Sequence, residues 1–177
     1  MHRIEVCLKP GLPDVRGSGL VKDISDLGIT TVSRAHVSDI YWLNADLTDD
    51  ELGVICRNLL ADPVTQDYSA NSAVTGPKNR SAHTVEVAYN AGVTDPVEES
   101  LLKAIRDLGL TKVKAVKTAR KYVIEGQLDD AQLETIARRL LVNPIIQHAI
   151  EGEHFAFPEN PQYEFKLQKI AIGTADR

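Results

Sequence analysis

Leu20-Val21-Lys22-Asp23-Ile24-Ser25-Asp26-Leu27-Gly28 returns further along the chain as Leu101-Leu102-Lys103-Ala104-Ile105-Arg106-Asp107-Leu108-Gly109. The offset is 81 positions, and it carries His2–Ser69 onto His83–Ile150 without a gap. About 23 of those 68 positions are identical. Tyr41 falls on Tyr122, Leu59-Leu60-x-x-Pro63 on Leu140-Leu141-x-x-Pro144, and Gln66 on Gln147. A fixed period of this length means two copies of one module. Two modules on one chain make a built-in pseudo-dimer, so the mating surface is the first place to look for function. The expected organisation is a first module over 1–70, a linker over 71–82, a second module over 83–152 and a C-terminal extension over 153–177.

Each copy is near the lower size limit for a self-sufficient core, so docking the two buries apolar surface that neither hides alone. The chain carries a net charge of −5 and a pI near 5.5, which argues against a nucleic-acid partner and its usual need for a basic face. No apolar run approaches the roughly 18 residues of a membrane span. Glu5 stands where a signal peptide would need an apolar stretch. A soluble cytoplasmic protein is expected, with Cys7 and Cys56 as reduced thiols.

Ile4, Val6 and Leu8 alternate as in a half-buried strand, and Val85, Val87 and Tyr89 repeat the pattern. Pro10-Gly11-Leu12-Pro13 breaks it. Leu20, Ile24 and Leu27 then mark a helix closed by Gly28. In the second copy Asp95-Pro96 opens that helix in N-cap and N1 order, and Gly109 closes it. Thr30–Ala45 is rich in Thr, Val, Ile, Tyr and Trp without a helical period, and reads as two strands with a turn near Val37–Asp39. Thr48-x-x-Glu51 and Asp129-x-x-Gln132 are capping boxes. Pro63 and Pro144 stop the helices opened by those boxes, before short strands over Val64–Tyr68 and Ile145–Ile150.

The order β-α-β-β-α-β puts the chain in the α+β class as two tandem ferredoxin-like modules. Each would be a four-stranded antiparallel sheet with both helices on one face. The bare face needs a cover, and the second copy is the natural one. The extension holds all three phenylalanines (Phe155, Phe157, Phe165) and a strand-like alternation over Tyr163–Leu167.

Lys9-Pro10-Gly11-Leu12-x-Asp14-x-x-Gly17, with Leu59-Leu60-Ala61-Asp62-Pro63-Val64 and Gln66-Asp67-Tyr68, resembles the PurS family. The second copy supplies Gly92-Val93-x-Asp95-Pro96 and Leu140-Leu141-x-Asn143-Pro144-Ile145-Ile146. It departs at Asn90, Glu98 and Ala149, and the first copy departs at Val15. The resemblance covers both modules. It implies a small, non-catalytic component of phosphoribosylformylglycinamidine (FGAM) synthase, an ATP-dependent, glutamine-using C–N ligase of purine biosynthesis. It further implies two partners: PurL, the synthetase that uses ATP and Mg, and PurQ, the glutaminase. No cofactor is expected on this chain. Two such modules in tandem also resemble the N-terminal part of fused PurS–PurL chains, into whose synthetase portion the extension would lead. The tandem lets one chain replace a dimer, and homodimers of the whole chain are a further possible assembly.

Cys7 and Cys56 lie opposite Ala88 and Ala137 across the repeat, which fits packing rather than catalysis. No His-x-His or His-Glu-x-x-His spacing points to a metal. Gly17-Ser18-Gly19-Leu20 could cradle a phosphate at a helix start. Its counterpart begins Glu98-Glu99-Ser100, so a plain turn is the better reading. Lys112, Lys114, Lys117, Arg120 and Lys121 put five positive charges on one expected hairpin. The expected partner contacts are Lys9, Asp14, Arg16, Asn90 and Asp95 on the strand-to-helix loops, with Lys117, Arg120 and Lys121 on that hairpin. The alternative reading is a tandem ACT-like amino-acid-binding regulatory module, to which Lys9-Pro10-Gly11-Leu12 is also similar.

Overall fold

A computed structural model of the chain describes residues 1–71 and 81–150. Most of the expected linker and the whole C-terminal extension, with its strand over Tyr163–Leu167, lie outside the described residues. The first copy contains β1 His2–Leu8, α1 Val15–Asp26, β2 Val32–Asn44, α2 Asp49–Ile55 and β3 Gln66–Ala70. The second contains β4 Ala82–Tyr89, α3 Glu98–Asp107, β5 Ala115–Gly126, α4 Asp130–Ile136 and β6 Gln147–Ala149. All six strands form one antiparallel sheet in the order β3-β1-β2-β5-β4-β6.

The local signals act as their chemistry requires. Ile4 and Val6 of β1 are buried. Gly28 and Gly109 take φ of +86° and +84° just past their helices, the left-handed turn that a side chain would strain. Both capping boxes are complete. Thr48 accepts from the Glu51 N–H at 3.2 Å and Glu51 accepts from the Thr48 N–H at 2.9 Å. Asp129 and Gln132 repeat the exchange at 2.7 and 3.1 Å. At their C-terminal ends α2 and α4 each run into a π-helical turn, Cys56–Leu60 and Ala137–Leu141, which the apolar periodicity does not announce. The second long helix starts later than Asp95-Pro96 suggests, because Val97 is its N-cap.

The expected hairpin within Thr30–Ala45 does not form. β2 is one strand of 13 residues, paired with β5 at Val37↔Tyr122, Ser38↔Lys121 and Asp39↔Arg120, where the turn was expected. Val37 and Ser38 do not favour the positive φ that a tight hairpin needs. An antiparallel partner is available instead from the other copy. Each copy therefore contributes three strands, not four. The second copy extends the sheet edge to edge and does not cover its face.

The side-chain clusters interlock the copies. One core joins Ile4, Val6, Leu43, Leu52 and Ile55 of the first copy to Leu101, Ile105, Val113 and Val116 of the second. Another joins Leu20, Ile24 and Ala35 of the first to Val87, Ile124, Ile136 and Leu141 of the second. So α3 packs with the π-helical turn that ends α2, and α1 with the one that ends α4. The strand register puts both clusters on one side of the sheet. Residues of opposite parity, Ile40, Trp42, Ala88 and Ala119, form a smaller cluster on the other side.

Candidate functional site: the seam and the strand-end loops

The β2–β5 ladder pairs Asp39 with Arg120, which are counterparts in the repeat. That position meets its own copy, so a pseudo-two-fold axis passes there. The Asp39 carboxylate accepts from Arg16 Nη1 through both oxygens at 2.9 Å, and Arg16 Nη2 donates to the Val37 carbonyl at 3.2 Å. Arg120 Nε stands further off, 3.7 Å from Asp39. Beside this point lies a cavity of about 250 Å³, walled by the seam strands, Tyr89, Gln147 and the loop before α3.

Asp14 and Asp95 brace the seam from either side. Asp14 accepts from the Gly17 N–H at 2.8 Å and the Val37 N–H at 3.3 Å. Asp95 accepts from the Val97 N–H at 2.9 Å and the Thr118 N–H at 2.7 Å. Thr118 is the counterpart of Val37, so the brace is the same device twice. Asp95 is only 1% exposed. Each carboxylate ties a helix start to the middle of a seam strand, an internal role where the sequence reading expected a partner contact.

Lys9 Nζ donates to the Pro63 carbonyl, and Asn90 Nδ2 donates to the Ile145 carbonyl at 3.4 Å. Each strand-to-helix loop is thereby joined to the turn before the copy's last strand. On those turns Val64 and Ile145, counterparts in the repeat, are 76% and 82% exposed. Leu12 on the first loop and Val15 at the start of α1 are exposed as well. Val64 and Ile145 were expected inside short strands, and the sequence reading missed them as surface residues. The available signal was an apolar residue kept directly after a proline in both copies.

The basic residues do not share a hairpin. Arg120 and Lys121 are adjacent in one strand and point to opposite sides. Lys121 reaches Glu5 at 3.0 and 3.2 Å. Lys117 pairs with Glu98 at the start of α3, and Lys112 with Glu51 at 2.8 Å. On the sheet side away from the helices, Arg3 bridges the counterpart glutamates Glu5 and Glu86. Its guanidinium lies 5.5 Å from the centre of the Trp42 ring.

The surroundings of both thiols disfavour the thiolate. Burial pushes Cys56 up to about 11. Burial, with Glu5 and Asp67 nearby, also raises Cys7. Among the described residues no group of three or more His, Cys, Asp and Glu side chains could hold a metal ion. Nor is any described helix long and apolar enough to cross a membrane.

Interlocked copies and matched apolar loops define a protein organised around pairing. The family model of PurS, phosphoribosylformylglycinamidine (FGAM) synthase, matches residues 1–73 and 82–151, one match per copy. The chain belongs to the PurS family and is a PurS-type component of FGAM synthase, in purine biosynthesis. It is similar to the phosphoribosylformylglycinamidine synthase subunit PurS of Archaeoglobus fulgidus, with 37% identity over 68 residues. That match spans 36% of this chain and 85% of the relative, which is therefore about the length of one copy.

Proposed function

We propose that this chain acts in FGAM synthase by assembly, holding a glutaminase of the PurQ type against an ATP-dependent synthetase of the PurL type. Ammonia released at one site then reaches the other without loss to solvent. The chain contributes no catalytic residue and no cofactor, and ATP and Mg belong to the synthetase. Its place of work is the cytoplasm.

The observation that carries this reading is the paired exposure of Val64 and Ile145 beside loops tied by Lys9 and Asn90. Exposed apolar side chains rimmed by polar ones mark protein contacts. Here the axis presents them twice, so one chain has two similar sites for two different partners. The departures between the copies, Lys9 against Asn90 and Arg16 against Val97, support different partners at the two sites.

Reconstitution tests the proposal. The chain is mixed with a synthetase and a glutaminase from the same cell, and glutamine-dependent amidine formation is assayed with and without it. A rate that rises with this chain, together with co-elution of the three, supports assembly. No rise and no co-elution would reject it.

A further inference from the structure

On the helix side of the sheet the two cores leave a gap along the seam, and the copies fill it differently. In the first copy Arg16 crosses it from the start of α1 to the Asp39 carboxylate. The counterpart of Arg16 is Val97, and there the gap stays open as the cavity of about 250 Å³. Its wall includes Tyr41, Tyr89, Thr118, Arg120, Tyr122 and Gln147. The charge of the wall is inverted, since Arg120 stands where the first copy has Asp39. Hydroxyls are gained, with Tyr89 in place of Leu8 and Thr118 in place of Val37.

The first copy thus presents a complete arrangement: an acidic wall residue met by a basic side chain from the helix start. The second presents a basic wall residue and delivers no acid to it. Asp39 meets it only as a longer ion pair, Arg120 Nε standing 3.7 Å away, because both Asp39 oxygens already accept from Arg16 at 2.9 Å. Asp39 and Arg120 are the charged residues of the lining, and Arg16 offsets the negative one. A guanidinium presents a fork of N–H donors that fits a carboxylate in two parallel bonds. Burial, and then Asp39, raise the pKa of Tyr41, so its hydroxyl remains a donor at neutral pH.

We infer that this cavity binds a carboxylate, gripped by Arg120 and oriented by the surrounding tyrosine hydroxyls. The volume suits a short dicarboxylate, or one acidic side chain presented by a protein. The inference goes beyond the assembly role and does not depend on it.

The test is calorimetric titration and thermal melting of the full chain at constant ionic strength. Three probes are used: glutarate, a capped peptide bearing one glutamate, and uncharged glutaramide. Glutarate or the peptide is expected to bind and to raise the Tm with dose, while glutaramide does neither. Arg120→Gln is expected to weaken that binding at least about tenfold with an unchanged circular dichroism spectrum. Val97→Glu, which delivers the acid from within, raises the ligand-free Tm and abolishes carboxylate binding. Which probe binds separates a free ligand from a protein side chain. The inference is overturned if neither carboxylate binds, or if Arg120→Gln binds as tightly as the natural chain.

Discussion

Asp39 faces Arg120 across the seam, and Arg120 is the residue that the repeat places at Asp39's own position. In a pair of identical subunits this position would face itself, and any charge there would meet its like. Duplication within one chain frees the two positions to differ. The acid holds Arg16 by hydrogen bonds at 2.9 Å and Arg120 by a longer ion pair at 3.7 Å, so its loss is felt at both, most at Arg16. Asp39→Arg would leave three cations around the axis and is expected to cost about 1–3 kcal/mol. Arg120→Asp leaves Arg16 between two carboxylates and is expected to cost less than about 1 kcal/mol. Thermal melts in low and high salt check the order, and the gap should narrow as salt screens the charges. Equal losses for the two variants would contradict the role given to Arg16.

Gly17 allows α1 to approach β2. A Cβ built there would stand 2.0 Å from the Ala35 carbonyl oxygen, which is backbone and cannot swing away. Two positions along the same helix, a Cβ on Gly19 meets nothing within 4 Å. Gly17→Ala is expected to destabilise by about 2 kcal/mol or more, lowering the Tm by roughly 4–8 °C. Gly19→Ala should be neutral or raise the Tm slightly through helix propensity. Differential scanning calorimetry of the two variants reads the contrast directly.

The copies are expected to unfold together. Ile105 is fully buried in a cluster that includes Leu43, Leu52 and Ile55 of the other copy, so Ile105→Ala should cost about 2–5 kcal/mol. Trp42, the only tryptophan, reports from the first copy. Urea unfolding followed by its fluorescence should shift to lower urea when Ile105, in the second copy, is truncated. A tryptophan transition that ignores the change would mean independent modules.

Acid should weaken the link between Glu51 and Lys112. The hydrogen bond from Lys112, followed by that from the Thr48 N–H, holds the Glu51 carboxyl below the usual glutamate range. A lowered folded pKa contributes stability above the unfolded value, near ~4.3, and loses it as the pH falls through the folded value. Glu51→Gln keeps the amide in the capping box but removes this titration. The Tm of the variant should therefore fall less steeply below about pH 4.5 than that of the natural chain. Parallel acid limbs for the two proteins would count against the assignment.

Val64→Ser with Ile145→Ser should leave the fold intact, since both side chains face solvent. If the turns contact partners, the double change weakens assembly about tenfold or more. Analytical ultracentrifugation of the reconstituted mixture measures it, and unchanged affinity would remove these turns from the interface.

Much of this was legible along the chain. The repeat, both helix pairs, the two capping boxes and the first strand rest on residues a few positions apart, whereas the start of α3 was misplaced at Asp95-Pro96. Thr48 and Glu51 sit three apart, and Gly28 ends its helix by its own backbone freedom. The candidate contacts were less legible. Lys9 and Asn90 bond from the strand-to-helix loops to neighbouring turns, while Asp14 and Asp95 turned inward, because their hydrogen-bond partners Val37 and Thr118 lie 23 positions away. The five basic residues looked like one patch only while a hairpin was assumed.

The sequence by itself determined that there are two modules of one family, where the capping boxes open α2 and α4, where Gly28 and Gly109 close α1 and α3, and that the thiols match alanines across the repeat. Those features rest on short-range hydrogen bonds and side-chain periodicity. Only the tertiary structure decided that β2 runs straight through Val37–Asp39, because an extended segment folds back or continues according to which strand edge is free to pair with it. That edge belongs to β5, in the other copy. The same pairing brought Asp39 to Arg120, crossed the helices between the cores, and left open beside Val97 the cavity that Arg16 closes on the other side.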